Sequence, residues 1–535
     1  MTMPPAARAT GAPPAAGPRS GERSRAATAG LAATGASIVL TFTVAVLGPS
    51  LMEPRLPGRS GQPPWALAGN LSPYLAVALT ATGIAAGTAG LALTLRAARH
   101  GWSVSPAVIL AAGIIAAVAL ALVPPFGSSD HLSYAAYGRM VITGHDPYTT
   151  TPAALAALGD PVARAVQDWR TSPSVYGALA TGGQALASAI GGTSARLTVF
   201  VLDLLNVAAF AVTGLLLHRL ARGSRARQLR AALLWTCNPL LLQVLVAGAH
   251  VDSQAIVFGI GALAVFALYV RSDASPLNPG RQAATGAAAG ALIGLGFAVK
   301  ATMALVGAGL ALACVLAWRA REPTVSRSAP APRPAAARSG WRGSGWRGPA
   351  AVLGGLAAGF AVTAGASLAI WGTSSLGPAL RAGSYVSIGS PWRAARSALR
   401  LVVGEGAAED AVKGAAVVLA VALLALLLRS ISAAGPGAWP AIPGLAETGA
   451  RAEAGVRAET GAAGFATCAV FAVVLAWLLA WPYVLPWYDG LGWALLALLP
   501  ASRLDWLMLA RTTALALGYL PARGIVLPGG LRWLE

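Results

Sequence analysis

An all-α fold of about thirteen membrane-crossing helices is predicted by three features of this sequence. The 535 residues are 56% apolar and only 11% charged, with a mean hydropathy of +0.64. Soluble globular chains are roughly one-quarter charged. Apolar runs of bilayer-spanning length recur from end to end, and the basic residues gather in alternate connections between them. A formal charge of +20 would suggest nucleic acid in a soluble protein. Here nearly all of it is arginine beside apolar spans, so the charge reads as a topology signal with lipid headgroups as partners and no nucleic acid.

Residues 1–27, rich in Pro, Ala, Gly and Arg, predict a disordered cytoplasmic tail, and the run after them predicts a retained first helix rather than a signal peptide. Spans are expected at 28–50, 73–95, 105–126, 196–217, 231–249, 251–270, 284–300, 302–318, 349–371, 411–428, 464–483, 487–501 and 504–520. With the tail inside, the alternation also puts Arg96, Arg99, the cluster Arg219 to Arg230 and the segment Arg319 to Arg347 inside, as the positive-inside rule requires. Residues 28–520 therefore read as one transmembrane domain with inner linkers at 320–348 and 430–463, outer loops at 127–195 and 372–410, and a C-terminal tail at 521–535. Cys237, Cys314 and Cys468 lie inside apolar runs without paired spacing, which speaks against a disulfide framework or metal cluster.

Residues able to do chemistry collect on the outer side. Asp130, His131, Tyr134, Tyr137, Arg139, His145, Asp146 and Tyr148 share the loop 127–195, in a chain with five histidines and nineteen acids. Loops this long are functional or disordered. The apolar side formed by Leu132, Tyr134, Ala135, Ala136, Tyr137 and Met140 predicts a short amphipathic helix lying along the membrane. Asp130 at its start reads either as a helix cap or as a general base that takes a proton from an attacking hydroxyl. Gly144 to Tyr148 predicts a turn, with Pro147 holding Asp146 extended; His145 and Tyr148 are candidates to line a sugar or headgroup site. The stretch Asp168 to Gly177, including Trp169 and Tyr176, is a second polar and aromatic patch, or an interfacial aromatic anchor.

Further along, His250 and Asp252 fall in a tight outer turn. Their spacing admits a metal, but no third ligand lies nearby, and phosphate binding by protonated His250 or orientation of an acceptor by Asp252 fits better. Lys300 ends a span on the side where positive charge is disfavoured. It either snorkels to the membrane edge or holds a lipid-borne anion, a role Arg393 and Arg396 are also placed to fill. Asp203 and Asn206 read as interhelical hydrogen-bonding groups.

Taken in their order and outer placement, several motifs resemble the actinobacterial polyprenol-phosphomannose-dependent α-1,6-mannosyltransferases of the GT-C glycosyltransferase superfamily. They are Ser129-Asp130 through Arg139, Gly144 to Tyr148, Trp169 to Gly177, Asn238-Pro239 with Gly248 to Asp252, Val299-Lys300-Ala301, and Trp481-Pro482 through Pro486-Trp487-Tyr488. The resemblance spans about residues 28–520, with departures at His131-Leu132 and Val251-Asp252. It implies a GT-C fold and an extracytoplasmic site in the plasma membrane. It also implies a polyprenyl-phosphate mannose donor, a lipid-anchored α-1,6-mannan acceptor, no cofactor or metal, and transfer with inversion into lipomannan. In that superfamily the first long outer loop supplies the catalytic acid, which falls here on Asp130. Lys300, His250, Arg393 and Arg396 are then expected at the donor phosphate. His131, Tyr134, Tyr137, Arg139, His145, Asp146, Tyr148, Tyr176, Asp252, Trp487 and Tyr488 are expected around the sugars. An arabinosyl- or glucosyltransferase, a lipid or solute transporter and an inactive envelope scaffold are the alternatives; a transporter predicts ionisable groups distributed through the spans.

Overall fold

The structure is a computed structural model that describes residues 20–67, 69–271, 278–319, 347–433 and 462–520. Nearly all of the expected inner linkers, most of the N-terminal tail and the C-terminal tail lie outside these residues. The part of the tail that is described, from Ser20, already belongs to the first helix.

Among the described residues twenty α-helices succeed one another. The first three are α1 (Ser20–Val46), α2 (Pro73–Arg99) and α3 (Pro106–Ala121). The long loop 127–195 then folds into α4 (Asp130–Ile142), α5 (Pro152–Ala157), α6 (Pro161–Arg164) and α7 (Ala178–Gly191). Next come α8 (Ala195–Leu220), α9 (Arg225–Leu234), α10 (Pro239–Leu241), α11 (Asp252–Arg271), α12 (Pro279–Phe297) and α13 (Ala304–Arg319). The last group is α14 (Arg347–Trp371), α15 (Leu376–Ala382), α16 (Trp392–Val403), α17 (Glu405–Ala433), α18 (Ala462–Ala480), α19 (Asp489–Leu496) and α20 (Leu504–Gly518). Local chemistry starts many of them: Ser72, Ser194 and Ser224 each accept an otherwise orphaned N–H of the first turn, from Leu75, Leu197 and Arg227.

Among the described residues six helical stretches are long and apolar enough to cross a membrane, at 24–46, 73–99, 195–220, 225–247, 350–371 and 405–430, and shorter apolar helices lie at 106–121, 252–267, 301–317 and 464–480. The chain is thus an all-α, multi-pass membrane protein. The expected spans at 487–501 and 504–520 are instead helices of 8 and 15 residues. At 1.5 Å per residue they reach about 12 and about 22 Å, short of a hydrocarbon core of about 30 Å.

Small residues set the helix packing, as they do where lipid removes the hydrophobic drive for helices to associate. On α12, a Cβ at Gly286 or Gly290 would fall on the Val352 or Leu356 carbonyl of α14; on α14, one at Gly355 or Gly359 would fall on Ala283 or Ala287 of α12. Charge fastens another junction. Asp505 of α20 accepts two guanidinium bonds from Arg230 of α9, at 2.6 and 2.7 Å, and one from Arg99 of α2 at 2.7 Å. In a third place Asn206 accepts from Gln254 of α11 at 2.7 Å, the interhelical bond its position predicts, whereas Asp203 is buried without such a bond.

The segments that carry the candidate residues are strapped together by backbone bonds. Phe126 N–H donates to the Ala247 carbonyl and Gly127 N–H to Met52, which lays the start of α4 against the end of the helix before His250. Gly177 and Leu179 donate to the carbonyls of Val299 and Ala298, which brings Tyr176 onto the Lys300 turn. Ser387 donates to the Pro482 carbonyl, joining the loop after α15 to the segment before α19.

Candidate active site

The site is built where those straps converge. Asn238 caps α10, its side-chain oxygen accepting from Leu240 and Leu241 N–H, and Pro239 fills the first helical position where no N–H is needed. The helix then widens to a π-helical stretch, Leu242–Ala247, a local widening that recurs at functional sites. Beyond it the chain turns through Ala249 at φ +51° to His250, whose N–H donates back to the Leu245 carbonyl.

His250 lies flat on Trp487, with ring centroids 3.6 Å apart, and its Nδ1 faces Asp130 Oδ2 at 3.6 Å. The other Asp130 oxygen accepts the Trp169 indole N–H at 3.1 Å. Asp130 is the first residue of α4, preceded by Ser129, and its side chain turns to these two partners rather than capping the helix. It retains 15% exposure, enough to meet a ligand. Trp169 at φ +60° and Ala249 are the only non-glycine residues with positive φ among the described residues. That conformation is unfavourable for side chains bearing Cβ and clusters at functional sites. One of the two supplies a partner to Asp130 directly, and the other immediately precedes the second partner.

A second charged centre adjoins the first. Lys300 Nζ donates to both oxygens of Asp252, at 2.7 and 2.8 Å, and sits 4.0 Å over the Tyr488 ring. Lys300 is therefore not a bare cation but one held by a carboxylate and an aromatic face, within electrostatic reach of Asp130. Tyr176 Oη donates to Tyr134 Oη at 3.3 Å, and their rings meet edge to face. Burial pushes both phenols well above their usual range; the charge of Asp130 adds to the effect, so both stay protonated and able to donate.

The structure thus brings together Asp130, Tyr134, Tyr176, His250, Asp252, Lys300, Trp487 and Tyr488. It gives the other candidates different work. The α4 helix, expected to lie along the membrane on one apolar side, is buried nearly all round. Its His131 is fully buried, and Tyr137 donates to the Ser172 carbonyl at 2.9 Å. Gly138 makes this packing possible, since a Cβ there would meet the Gln184 carbonyl of α7. Arg139 pairs with Asp160 at 2.6 Å, and Asp160 in turn caps α6. Asp146 closes its own turn by accepting from Tyr148 N–H and Thr149 Oγ1, His145 pairs with Thr143, and Tyr148 bonds Thr181 and packs on Trp371. Arg393 is exposed on α16, and Arg396 is engaged by Glu405 at 2.8 Å.

Three residues that the sequence did not single out as site residues also belong here: Trp169, Tyr385 and Tyr483. Tyr385 stacks on Trp169 and meets Tyr483 edge to face; Tyr483 in turn meets Tyr488. Trp169 could have been found by its place in a polar, aromatic stretch of the same loop as Asp130. Tyr385 lies more than two hundred residues from Asp130 and carries no local signal. His250 and Trp487 also line a small cavity together with Thr80, Phe126, Gln243, Gly248 and Tyr519.

Comparison with known proteins agrees with this picture. The family model described as alpha-(1->6)-mannopyranosyltransferase, N-terminal domain, matches residues 29–317, which hold Asp130, Trp169, His250, Asp252 and Lys300. A probable alpha-(1->6)-mannopyranosyltransferase of Mycolicibacterium smegmatis is 33% identical over 165 residues, covering 30% of this chain and 29% of that protein. Alpha-(1->6)-mannopyranosyltransferase A of Corynebacterium glutamicum is 28% identical over 139 residues, covering 26% of this chain and 28% of that protein. The aligned segments thus span less than a third of these relatives. No solved structure matches.

Proposed function

The chain belongs to the alpha-(1->6)-mannopyranosyltransferase family, and on that premise we propose that it moves mannose from polyprenyl-phosphate mannose to a lipid-anchored α-1,6-mannan. The reaction takes place at the extracytoplasmic face of the plasma membrane, with inversion. The transmembrane body, 28–520, carries the reaction. The observation that carries this reading is the placement of Asp130. Its carboxylate is partly exposed and held from both sides, by the Trp169 N–H and by His250, beside the Lys300 and Asp252 pair.

Those contacts support the following chemistry. Asp130 accepts the proton of an acceptor mannose hydroxyl as the oxygen attacks the anomeric carbon of the donor. The bond from that carbon to the phosphate oxygen breaks, and the polyprenyl phosphate departs with one more negative charge than the phosphodiester it came from. Positive groups are needed where that charge grows. Lys300 supplies an ammonium whose position Asp252 and Tyr488 fix, and His250 supplies an imidazole held flat by Trp487. Arg393 and Arg396, on a helix with no buried residue, suit headgroups of the surrounding lipid better than the reacting phosphate.

The test is transfer by purified protein in lipid, with radiolabelled polyprenyl-phosphate mannose and a short α-1,6-mannoside acceptor, beside the Asp130→Asn variant. Transfer is expected from the wild type, with a loss of about 10²-fold or more in the folded variant. Full turnover by Asp130→Asn would remove Asp130 from the mechanism, and transfer from an arabinosyl or glucosyl lipid instead would reassign the donor.

A further inference from the structure

The geometry around Trp169 points to a second role at the same site: we propose that Trp169 and Tyr385 form the platform on which the acceptor sugar lies, with Trp169 also orienting Asp130. This rests on the reading of the protein as a sugar transferase and names the subsite that reading leaves open.

Four observations carry it. Trp169 and Tyr385 are 41% and 39% exposed although each has a specific partner, so their rings stay open to a ligand. They stack nearly parallel, 13° apart with centroids at 6.1 Å, so that two separate segments brace one another and a ligand meets an outer face of the stack. The surface adjoins the reacting carboxylate, because the Trp169 indole N–H donates to Asp130. The residues flanking Trp169, from Gln167 to Thr171, are exposed and mostly polar, which places the surface in water rather than hydrocarbon. An interfacial anchor inserted in lipid would need neither the hydrogen bond to Asp130 nor the left-handed backbone at φ +60°.

The chemistry of a pyranose matches this surface. A sugar has a face of C–H bonds with slight positive charge, which settles on the negative face of an aromatic ring, while its hydroxyls stay at the edge. A hydroxyl at the edge nearest Trp169 is delivered to Asp130. Tyr385 is in turn braced by Tyr483, at 5.7 Å and 79°, and its loop by the Ser387 bond to the Pro482 carbonyl, so the platform has a fixed floor.

Two measurements on the full-length protein in lipid nanodiscs test the proposal: steady-state transfer with both substrates varied, and direct calorimetric binding of an alkyl α-1,6-mannobioside. Tyr385→Ala is expected to weaken the mannobioside and raise the acceptor KM by about tenfold while the donor KM holds within about twofold. Tyr385→Phe should recover most of that loss. Trp169→Phe keeps a ring but not the N–H. It should leave mannobioside binding within about threefold, lower kcat by about tenfold, and move the acidic limb of the kcat profile to higher pH, since a donated N–H favours the charged carboxylate. Unchanged mannobioside affinity in Tyr385→Ala, or donor and acceptor KM rising together, overturns the platform. So does a wild type that binds no mannobioside. If the wild type binds it, Tyr385→Ala loses it, and no transfer occurs from the mannosyl lipid, the platform stands and the donor assignment fails.

Discussion

Glu53 shows how much a single buried carboxyl can decide. It sits in the connection between α1 and α2, almost wholly enclosed, and burial raises its pKa to about 9 against the opposing charge of Arg196. The folded protein therefore holds a proton there that the unfolded chain releases in the ordinary carboxylate range. The stability tied to that proton is complete below about pH 4 and drains away as pH rises toward 9. Thermal unfolding in detergent between pH 5 and pH 9 should fall more steeply for the wild type than for Glu53→Gln, and parallel curves would show that the group is not linked to folding. Asp505 shows the same dependence through pairing: its removal takes away the carboxylate that Arg230, which is buried, and Arg99, which is half-buried, both hold. Asp505→Ala is expected to cost about 3–5 kcal/mol, read as a lowered unfolding midpoint, with a smaller loss in the double variant Asp505→Ala, Arg230→Met. At this scale the sequence was partly legible. Asp130, His250, Asp252, Lys300, Trp487 and Tyr488 stand out as polar or aromatic groups at span ends. That Lys300 is neutralised by Asp252, or that Arg139 is spent on Asp160, depends on which side chains meet, and spacing along the chain does not say.

Helices meet here through glycine. The α12 and α14 pair approaches so closely that each lays its carbonyls where the other lacks a side chain, at Gly286, Gly290, Gly355 and Gly359. Gly290→Ala should cost about 1–3 kcal/mol because the obstructing atom is Leu356 backbone, which cannot swing aside. Gly354→Ala, on the open face of α14, serves as the control and should leave the unfolding midpoint unchanged within about 1 °C. Equal effects of the two would mean that the pair is not packed this way. The period of apolar residues reveals the existence of such helices, and the serine and proline signals reveal many of their starts. It does not reveal partners, and it does not fix where the last elements begin and end. Residues 487–501 and 504–520 are apolar enough to read as spans, and the structure gives them as helices of 8 and 15 residues. The helix at Asp130 is apolar on the side the sequence suggests, but α7 and the neighbouring loops cover its remaining faces too.

For the molecule as a whole, the distribution of arginine predicts an orientation. If the positive-inside reading holds, Thr149 faces outward and Arg222 faces the cytoplasm; both are exposed. In whole cells a membrane-impermeant maleimide should label Thr149→Cys and spare Arg222→Cys until the membrane is opened, against a low background because Cys237, Cys314 and Cys468 are buried. The reverse pattern would invert the topology and place the site with Asp130 inside.

The sequence by itself determined that this chain is an all-α membrane protein, and it gathered the candidate residues, Asp130 foremost, into the connections between apolar spans. These are properties of composition and of short-range order, which survive in any chain whose helices must satisfy their own backbone in lipid. Only the tertiary structure decided which residues form the site. Trp169 and Tyr385 join Asp130 because separate outer segments are strapped together by backbone bonds, and His145, Arg139 and Arg396 fall away because each finds a partner elsewhere. Contacts between residues tens to hundreds of positions apart leave no trace in local pattern, so they are settled where the helices and loops pack.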